Sequence, residues 1–272
     1  MKKHKRKIQT GIVIGIFSVI IIACLISIFS RMYTENKEKE AFRQLAEIVT
    51  EDTTDATIEE TIKKPNILKV SDFDNEVQAE QTVYCTTYYE PHSISELISM
   101  NSECFGWINI SGTNINYPVM HTPSNPQKYL NKNFNGEYSF SGTPFMDSRC
   151  SADSTNLVIY GHHMNNGTMF ADICNYTDYS YFTEHTTVVL ETKDGVFAYS
   201  VFSVIKVKSD DDWYRFITAE TEKSYEKKIS YAKDKSIYGT GNTPVYGQQI
   251  LTLSTCYGYN QDDRILVLAV QN

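Results

Sequence analysis

Cationic charge is in short supply in this sequence. Its 272 residues hold 25 Lys or Arg against 33 Asp or Glu, a formal charge of −8. Lys2, Lys3, Lys5, Arg6 and Lys7 crowd the first seven positions, which leaves −13 for the remainder. Nucleic-acid phosphates require a cationic face, so that class of partner is excluded, and a peptide or a cell-wall component fits better. Paired cysteines are missing too. There is no CxxC, and beyond the first apolar run Cys85, Cys104, Cys150, Cys174 and Cys256 make an odd set. A disulfide among the first four is chemically permitted in an exported protein, but the sequence does not choose a pairing. No internal repeat is present, prolines number only seven, and the length suffices for one substantial core with an appendage.

One long apolar run, Gly11 to Ser30, carries no charge over twenty residues. At 1.5 Å per residue it makes about 30 Å of helix, the thickness of a hydrocarbon core. The cationic head places residues 1–10 in the cytoplasm and everything after Arg31 outside, a single-pass type II arrangement in the cell membrane. No small-x-small cleavage site follows, which favours a retained anchor over a removed signal peptide. Cys24 serves there as a small apolar filler. Asn36 to Val49 puts Phe42, Leu45, Ala46 and Val49 on one side of a juxtamembrane helix, and the acidic, threonine-rich Thr50 to Gln81 reads as a spacer. The expected layout is a head over 1–10, an anchor over 11–30, a helix and stalk over 31–83 and a folded domain over 84–272.

That domain opens near Tyr84. Ser93 and Glu96 have capping-box spacing ahead of Leu97 and Ile98, which predicts a short helix. Strand patterns follow at Trp107 to Ile110, Ile115 to His121, Phe145, Leu157 to Tyr160, Val188 to Leu190, Val196 to Lys208, Ile250 to Thr255 and Ile265 to Val270. Many strands with few long helices predict a mainly β fold closed into a small barrel, with a β-sandwich as the alternative. One helix interrupts them over Thr218 to Ile237, where Tyr225, Ile229 and Ala232 share a face and Gly239 is the expected terminator. A shorter one is expected over Thr168 to Cys174, packed by Met169, Phe170 and Ile173.

Chemistry concentrates at three strand ends. Ile250, Thr252 and Ser254 alternate with Leu251, Leu253 and Thr255 up to Cys256, Tyr257 to Asp263 has loop composition, and Arg264 enters the next apolar run. The strand Leu157 to Tyr160 stops at Gly161, with His162 and His163 next. A thiol of ordinary pKa, about 8.5, becomes a good nucleophile when an imidazolium and a guanidinium lie beside it. Adjacent residues of an extended chain point to opposite sides, so at most one histidine faces the thiol. A zinc site from His162, His163 and Cys256 lacks a recognisable fourth ligand, and no metal or cofactor is expected. Asp262 and Asp263 either orient Arg264 or form a solvated loop.

Taken in chain order, these stretches resemble the class B sortases. LVIYGHHMNNGTMF matches His162 to the family's catalytic histidine, TLSTC matches Cys256 to its nucleophile, and DDR matches Arg264 to its catalytic arginine. FGWINISGTNINYPVMH and SGTPFMDSR resemble the front of the same domain, and the likeness spans Ser93 to Val270. The resemblance implies a closed eight-stranded barrel with short N-terminal helices. It also implies a helix in the connection between the sixth and seventh strands that helps wall the substrate groove.

The implied reaction is transpeptidation. Cys256 attacks the threonine carbonyl in the C-terminal sorting signal of a secreted protein, His162 as imidazolium protonates the leaving amine, and Arg264 donates to the developing oxyanion. The Tyr257 backbone N–H is a second candidate donor, and Tyr160, Thr255 and Tyr257 are the candidate substrate-binding residues. The thioacyl group then passes to an amine of peptidoglycan or of its lipid-linked precursor. NPxTx-like and xPxTG-like signals are both implied. The stretch between Cys256 and Arg264 is a residue or two shorter than the class pattern and lacks its aromatic-acidic segment, a departure that bears on substrate preference more than on chemistry. Two other readings stay open: a membrane-tethered cysteine peptidase that releases to water, and an anchored β-barrel adhesin in which the three residues are incidental. An L,D-transpeptidase does not fit, because Leu253-Ser-Thr-Cys256 stands where its serine-histidine-glycine-cysteine sequence belongs.

Overall fold

A computed structural model describes residues 2–50, 94–258, 260 and 262–272, with side chains over 15–47 in the first of these stretches. The chain divides into two compact units, one ending at Gln44 and one beginning at Leu45. Helix α1 (Lys2–Thr50) is continuous, so the expected anchor and juxtamembrane helix are one element. From Arg31 to Thr50 the sequence holds neither proline nor glycine, and pairs about one turn apart brace the polar part: Arg31 with Glu35 at 3.0 Å, Arg43 with Glu40 at 2.5 Å. Among the described residues α1 is the one helix long and apolar enough to cross a membrane, within Gly15–Glu47. The expected spacer after Thr50, the domain start at Tyr84, Cys85 and the Ser93 cap lie outside the described residues.

In the second unit α2 (Ile94–Met100) buries Ile94 and Leu97. Eight strands follow: β1 (Cys104–Asn109), β2 (Asn116–Met120), β3 (Phe145–Met146), β4 (Asn156–Tyr160), β5 (Thr187–Thr192), β6 (Gly195–Lys208), β7 (Ile250–Cys256) and β8 (Asp263–Gln271). Each falls on a segment whose apolar pattern predicted it. They close in the order β1-β2-β3-β4-β7-β8-β6-β5, with β5 pairing back onto β1, and that closure excludes the sandwich. Trp107, Ile108, Val119, Val158, Ile159, Leu253 and Val267 are fully buried in the core. The site depends on three neighbours in this order: β7 runs parallel to β4 and antiparallel to β8.

Helices α3 (Tyr179–Glu184) and α4 (Glu222–Asp234) lie in the connections after β4 and β6. α4 buries Tyr225, Ile229 and Ala232 as expected, but it is shorter than Thr218 to Ile237. Thr221 and Ser224 form a reciprocal capping box at its start. Its end is not set by Gly239. After the Lys235 cap the chain is drawn onto β6, where Ile237 N–H donates to the Val204 carbonyl at 2.9 Å and Ser236 Oγ accepts from Val204 N–H at 3.2 Å. The helix expected over Thr168 to Cys174 is a 3₁₀ segment over Ala171–Thr177. Its start is delayed because Met169 adopts a φ of 57° and the Asn166 side chain accepts from both the N–H and the hydroxyl of Thr168.

Candidate active site

Strand β4 ends through Gly161. Its N–H donates to the Ser254 carbonyl at 3.1 Å, and its carbonyl accepts the Thr255 hydroxyl at 2.8 Å. A Cβ at this position would stand 2.5 Å from the Phe170 ring, so the close approach requires glycine. Phe170 N–H donates in turn to the His162 carbonyl at 2.9 Å. The His162 backbone is thereby fixed beside the two residues that precede Cys256, and its Nε2 lies 2.8 Å from the Leu130 carbonyl oxygen. His163 is exposed, with Nδ1 3.5 Å from Cys174 Sγ, so the two histidines diverge as extended chain requires.

Cys256 closes β7 directly opposite Arg264 of β8. Side chains of such a pair share one face, with Cβ atoms about 5 Å apart. Tyr257 N–H donates to the Asp263 carbonyl at 3.0 Å, and Asp263 N–H to the Asn260 carbonyl at 3.1 Å. The Tyr257 N–H, a candidate oxyanion donor from sequence, is thus committed to the hairpin ladder, while its ring lies 4.4 Å from Lys206 Nζ. Arg264 Nη1 donates to the Asp263 carbonyl at 2.9 Å. The Asp263 carboxylate pairs instead with Lys208 at 2.5 Å.

Thr252, Ser254 and Cys256 alternate onto one face of β7. Trp213 and Tyr214 cover it, carried by a 3₁₀ turn over Asp212–Arg215 whose start is capped by the Asp211 carboxylate. Trp213 Nε1 donates to Thr252 Oγ1 at 3.0 Å, and the Tyr214 hydroxyl lies 2.8 Å from Ser254 Oγ. Two further contacts hold Tyr214: Arg149 Nη2 donates to its carbonyl at 2.8 Å, and the Tyr160 ring stacks on it at 6.0 Å. Burial pushes its phenol up to about 12. The Ser254 bond and the Arg264 charge lower it and the Cys256 charge raises it, so the phenol sits within electrostatic reach of both.

Beneath this face Asp147 accepts from Arg149 Nε at 2.9 Å, Arg149 Nη2 at 2.7 Å and the Tyr160 hydroxyl at 2.8 Å. Burial works against its ionised form, but these donors outweigh it and hold the carboxyl below the usual carboxylate range. Tyr160 itself is half-buried between the Asp147 carboxylate and the Tyr214 ring. Thr255, expected beside it, points the other way: it is 2% exposed with its hydroxyl bonded to Gly161, and it ties strand ends together rather than lining a groove. Asp147, Arg149, Trp213 and Tyr214 were not singled out from sequence. The polar alternation of Thr252 and Ser254 in an otherwise apolar strand was the available signal that hydrogen-bonding side chains cover that face.

Cys104, Cys150, Cys174 and Cys256 are all free thiols. Burial pushes Cys104 up to about 12 and Cys150 to about 11, and burial with the Cys256 charge nearby does the same for Cys174, at about 11. These three stay protonated at neutral pH.

A closed barrel that gathers a half-exposed thiol, an imidazole and a guanidinium at adjoining strand ends has the make-up of a cysteine acyl transferase. Residues 108–272 match the family model of the sortase domain. The chain is 33% identical over 177 residues to sortase B of Staphylococcus aureus, covering 64% of this chain and 72% of that protein. It is 32% identical over 166 residues to sortase B of Listeria monocytogenes, covering 60% and 66%. Similar solved structures include the Staphylococcus aureus sortase B-substrate complex, with 31% identity, a TM-score of 0.62 and coverage of 66% of this chain and 84% of that one. Sortase B of Clostridium perfringens, 34% identical with a TM-score of 0.62, is covered over its whole chain, 100%, by 66% of this one. The chain belongs to the sortase family, class B, and is a cysteine transpeptidase acting on a C-terminal sorting signal.

Proposed function

We propose that Cys256 is the nucleophile, His162 the general acid and then base, and Arg264 the oxyanion donor of this transpeptidase. The observation that supports this most strongly is the joining of strand ends: Cys256 faces Arg264 across the β7–β8 ladder, and the residue before His162 is bonded to Ser254 and Thr255. The Cys256 thiolate attacks the threonine carbonyl carbon of the signal, forming an S–C bond and moving charge onto oxygen, where Arg264 meets it. Collapse restores the carbonyl and breaks the C–N bond. The departing nitrogen keeps the electron pair and takes a proton from His162. An incoming amine reverses these steps, giving its proton to His162 as the thiolate leaves. Fixed positive charge is worth more here than in water, because Trp213 and Tyr214 exclude solvent from the flank of the strand.

The donor in this reading is a secreted protein with an NPxTx-like or xPxTG-like signal, and the acceptor an amine of peptidoglycan or its lipid-linked precursor. Among similar structures, one is a sortase B-substrate complex and another is a sortase B complexed with triglycine, which supports a peptide donor and an amine acceptor. Tyr160 and Tyr257 flank the strand ends and are assigned to the groove. The cationic head and the apolar stretch of α1 support a type II anchor with the catalytic domain outside the cell. Mass spectrometry of products from a signal-peptide library, with and without cell-wall fragments, tests the reading. Slow hydrolysis is expected alone, and an amide-linked product when an amine is supplied, because an oriented amine outcompetes water. Hydrolysis that no amine diverts, at saturating peptide, would point to the peptidase instead.

A further inference from the structure

His162 makes its hydrogen bond through Nε2, to the main-chain carbonyl of Leu130 at 2.8 Å. A carbonyl oxygen only accepts, so this contact requires the proton to be on Nε2. Leu130 belongs to a 3₁₀ turn over Lys128–Asn131, between β2 and β3. That turn is anchored from below. Tyr129 is 1% exposed and donates its hydroxyl to Glu103 at 2.6 Å, and Lys128 pairs with the same carboxylate at 2.5 Å. From above it is held by the chain entering β3: Thr143 N–H donates to the Tyr129 carbonyl at 3.0 Å and Thr143 Oγ1 to the Lys132 carbonyl at 2.9 Å.

Gly142 is the tightest point of this arrangement. Its φ is +63°, and a Cβ there would stand 2.5 Å from the Leu130 oxygen and 2.7 Å from the Tyr129 oxygen. Both are backbone atoms in a bonded turn, so neither yields cheaply. The missing side chain is what leaves the Leu130 carbonyl room to aim at the imidazole.

We infer that the Leu130 carbonyl, seated against Gly142, is the orienting acceptor of His162. It holds Nε2 protonated throughout and leaves Nδ1 as the atom that exchanges a proton with the substrate amine. This rests on the proposed role of His162. In the imidazolium both nitrogens carry hydrogen. Nε2–H stays on Leu130, and Nδ1–H passes to the departing nitrogen as the C–N bond breaks, leaving a lone pair on Nδ1 that later accepts the proton of the incoming amine. A main-chain carbonyl here fills the place that a buried carboxylate takes in a serine-type triad. It fixes ring orientation and tautomer without adding a charge. Leu130 and Gly142 are positioning residues.

The test uses the full chain in detergent, with ¹⁵N-labelled histidine, and the variants Gly142→Ala and His162→Ala. Long-range nitrogen–proton spectra of neutral wild-type His162 are expected to show hydrogen on Nε2, protected from exchange with water. In folded G142A that protection is lost and kcat falls about 100-fold with KM changed less than about twofold, the cost of misplacing a reacting group by roughly 1 Å. A wild-type ring protonated on Nδ1, an unprotected Nε2–H, or folded G142A with wild-type kcat overturns the inference. If G142A does not fold, the wild-type spectrum decides alone. Retained activity in H162A overturns instead the functional reading beneath it, a result the spectra do not depend on.

Discussion

Cys256 and Arg264 are cross-strand partners at the loop end of the β7–β8 hairpin, and the next contact, Tyr257 N–H to the Asp263 carbonyl at 3.0 Å, closes the ladder beyond them. Their separation is therefore set by sheet geometry and not by the connecting loop. A loop of unusual length alters what surrounds the pair without moving the pair itself. Changes within the Tyr257 to Asp263 stretch are therefore expected to alter substrate choice before they alter the chemistry of the pair.

Replacing either partner separates chemistry from folding. C256A abolishes acyl transfer while changing stability by no more than about 0.5 kcal/mol, since a half-exposed thiol at a strand end fills no core space. R264K keeps the charge but loses the planar fork, and turnover is expected to fall at least about 100-fold. Turnover and chemical denaturation measured on the same samples check both; near-normal turnover in folded C256A removes this cysteine from the mechanism.

Thr255→Val keeps shape and deletes the hydroxyl that reaches the Gly161 carbonyl. The carbonyl is left without that partner, at a cost of about 1–2 kcal/mol, and the β4 end loosens beside His162. Turnover should drop about 10-fold or more. An unchanged rate with the predicted loss of stability would show that this bond serves the barrel alone.

Thiol selectivity follows from burial. Cys104, Cys150 and Cys174 are held protonated, and Cys104 and Cys150 are also buried, so a thiol-reactive sulfone should label Cys256 ahead of these three. Peptide mapping at short exposure reads the order. Labelling of Cys174 first would reverse the assignment of the reactive thiol.

Asp147 gives the barrel an acid limb. Burial raises its pKa, but the donors from Arg149 and Tyr160 lower it further, so its folded value lies below the unfolded value of about 3.9. The stability it contributes is fully present above about pH 4 and is lost as pH falls through the folded value. D147N should cost about 1–3 kcal/mol at neutral pH and show a flatter loss of stability on acidification. Denaturant titrations of both proteins from pH 7 downward check this; parallel curves would contradict it.

The barrel was legible because each strand carries its own apolar pattern, and Cys256, His162 and Arg264 were legible because each stands where such a pattern meets a polar loop. The family resemblance then gave them roles. What sequence did not show is set by contacts between distant segments. The end of α4 depends on Ser236 and Ile237 bonding to β6, and the fate of Thr255 and of the Tyr257 N–H depends on the partners Gly161 and Asp263. Trp213 and Tyr214 look like ordinary core aromatics until the turn folds back over Thr252 and Ser254. The Leu130 carbonyl carries no sequence signature at all, since any residue supplies one.

During turnover the acyl group is expected to rest on Cys256 between donor and acceptor. The most direct test of this is rapid acid quenching of the protein during turnover of a cleaved signal peptide, followed by intact mass and peptide mapping. An adduct with the mass of the acyl fragment is expected, confined to the peptide that contains Cys256, absent in C256A and depleted when an acceptor amine is added. Continued cleavage with no adduct on that peptide, or an adduct mapped to another residue, would contradict it.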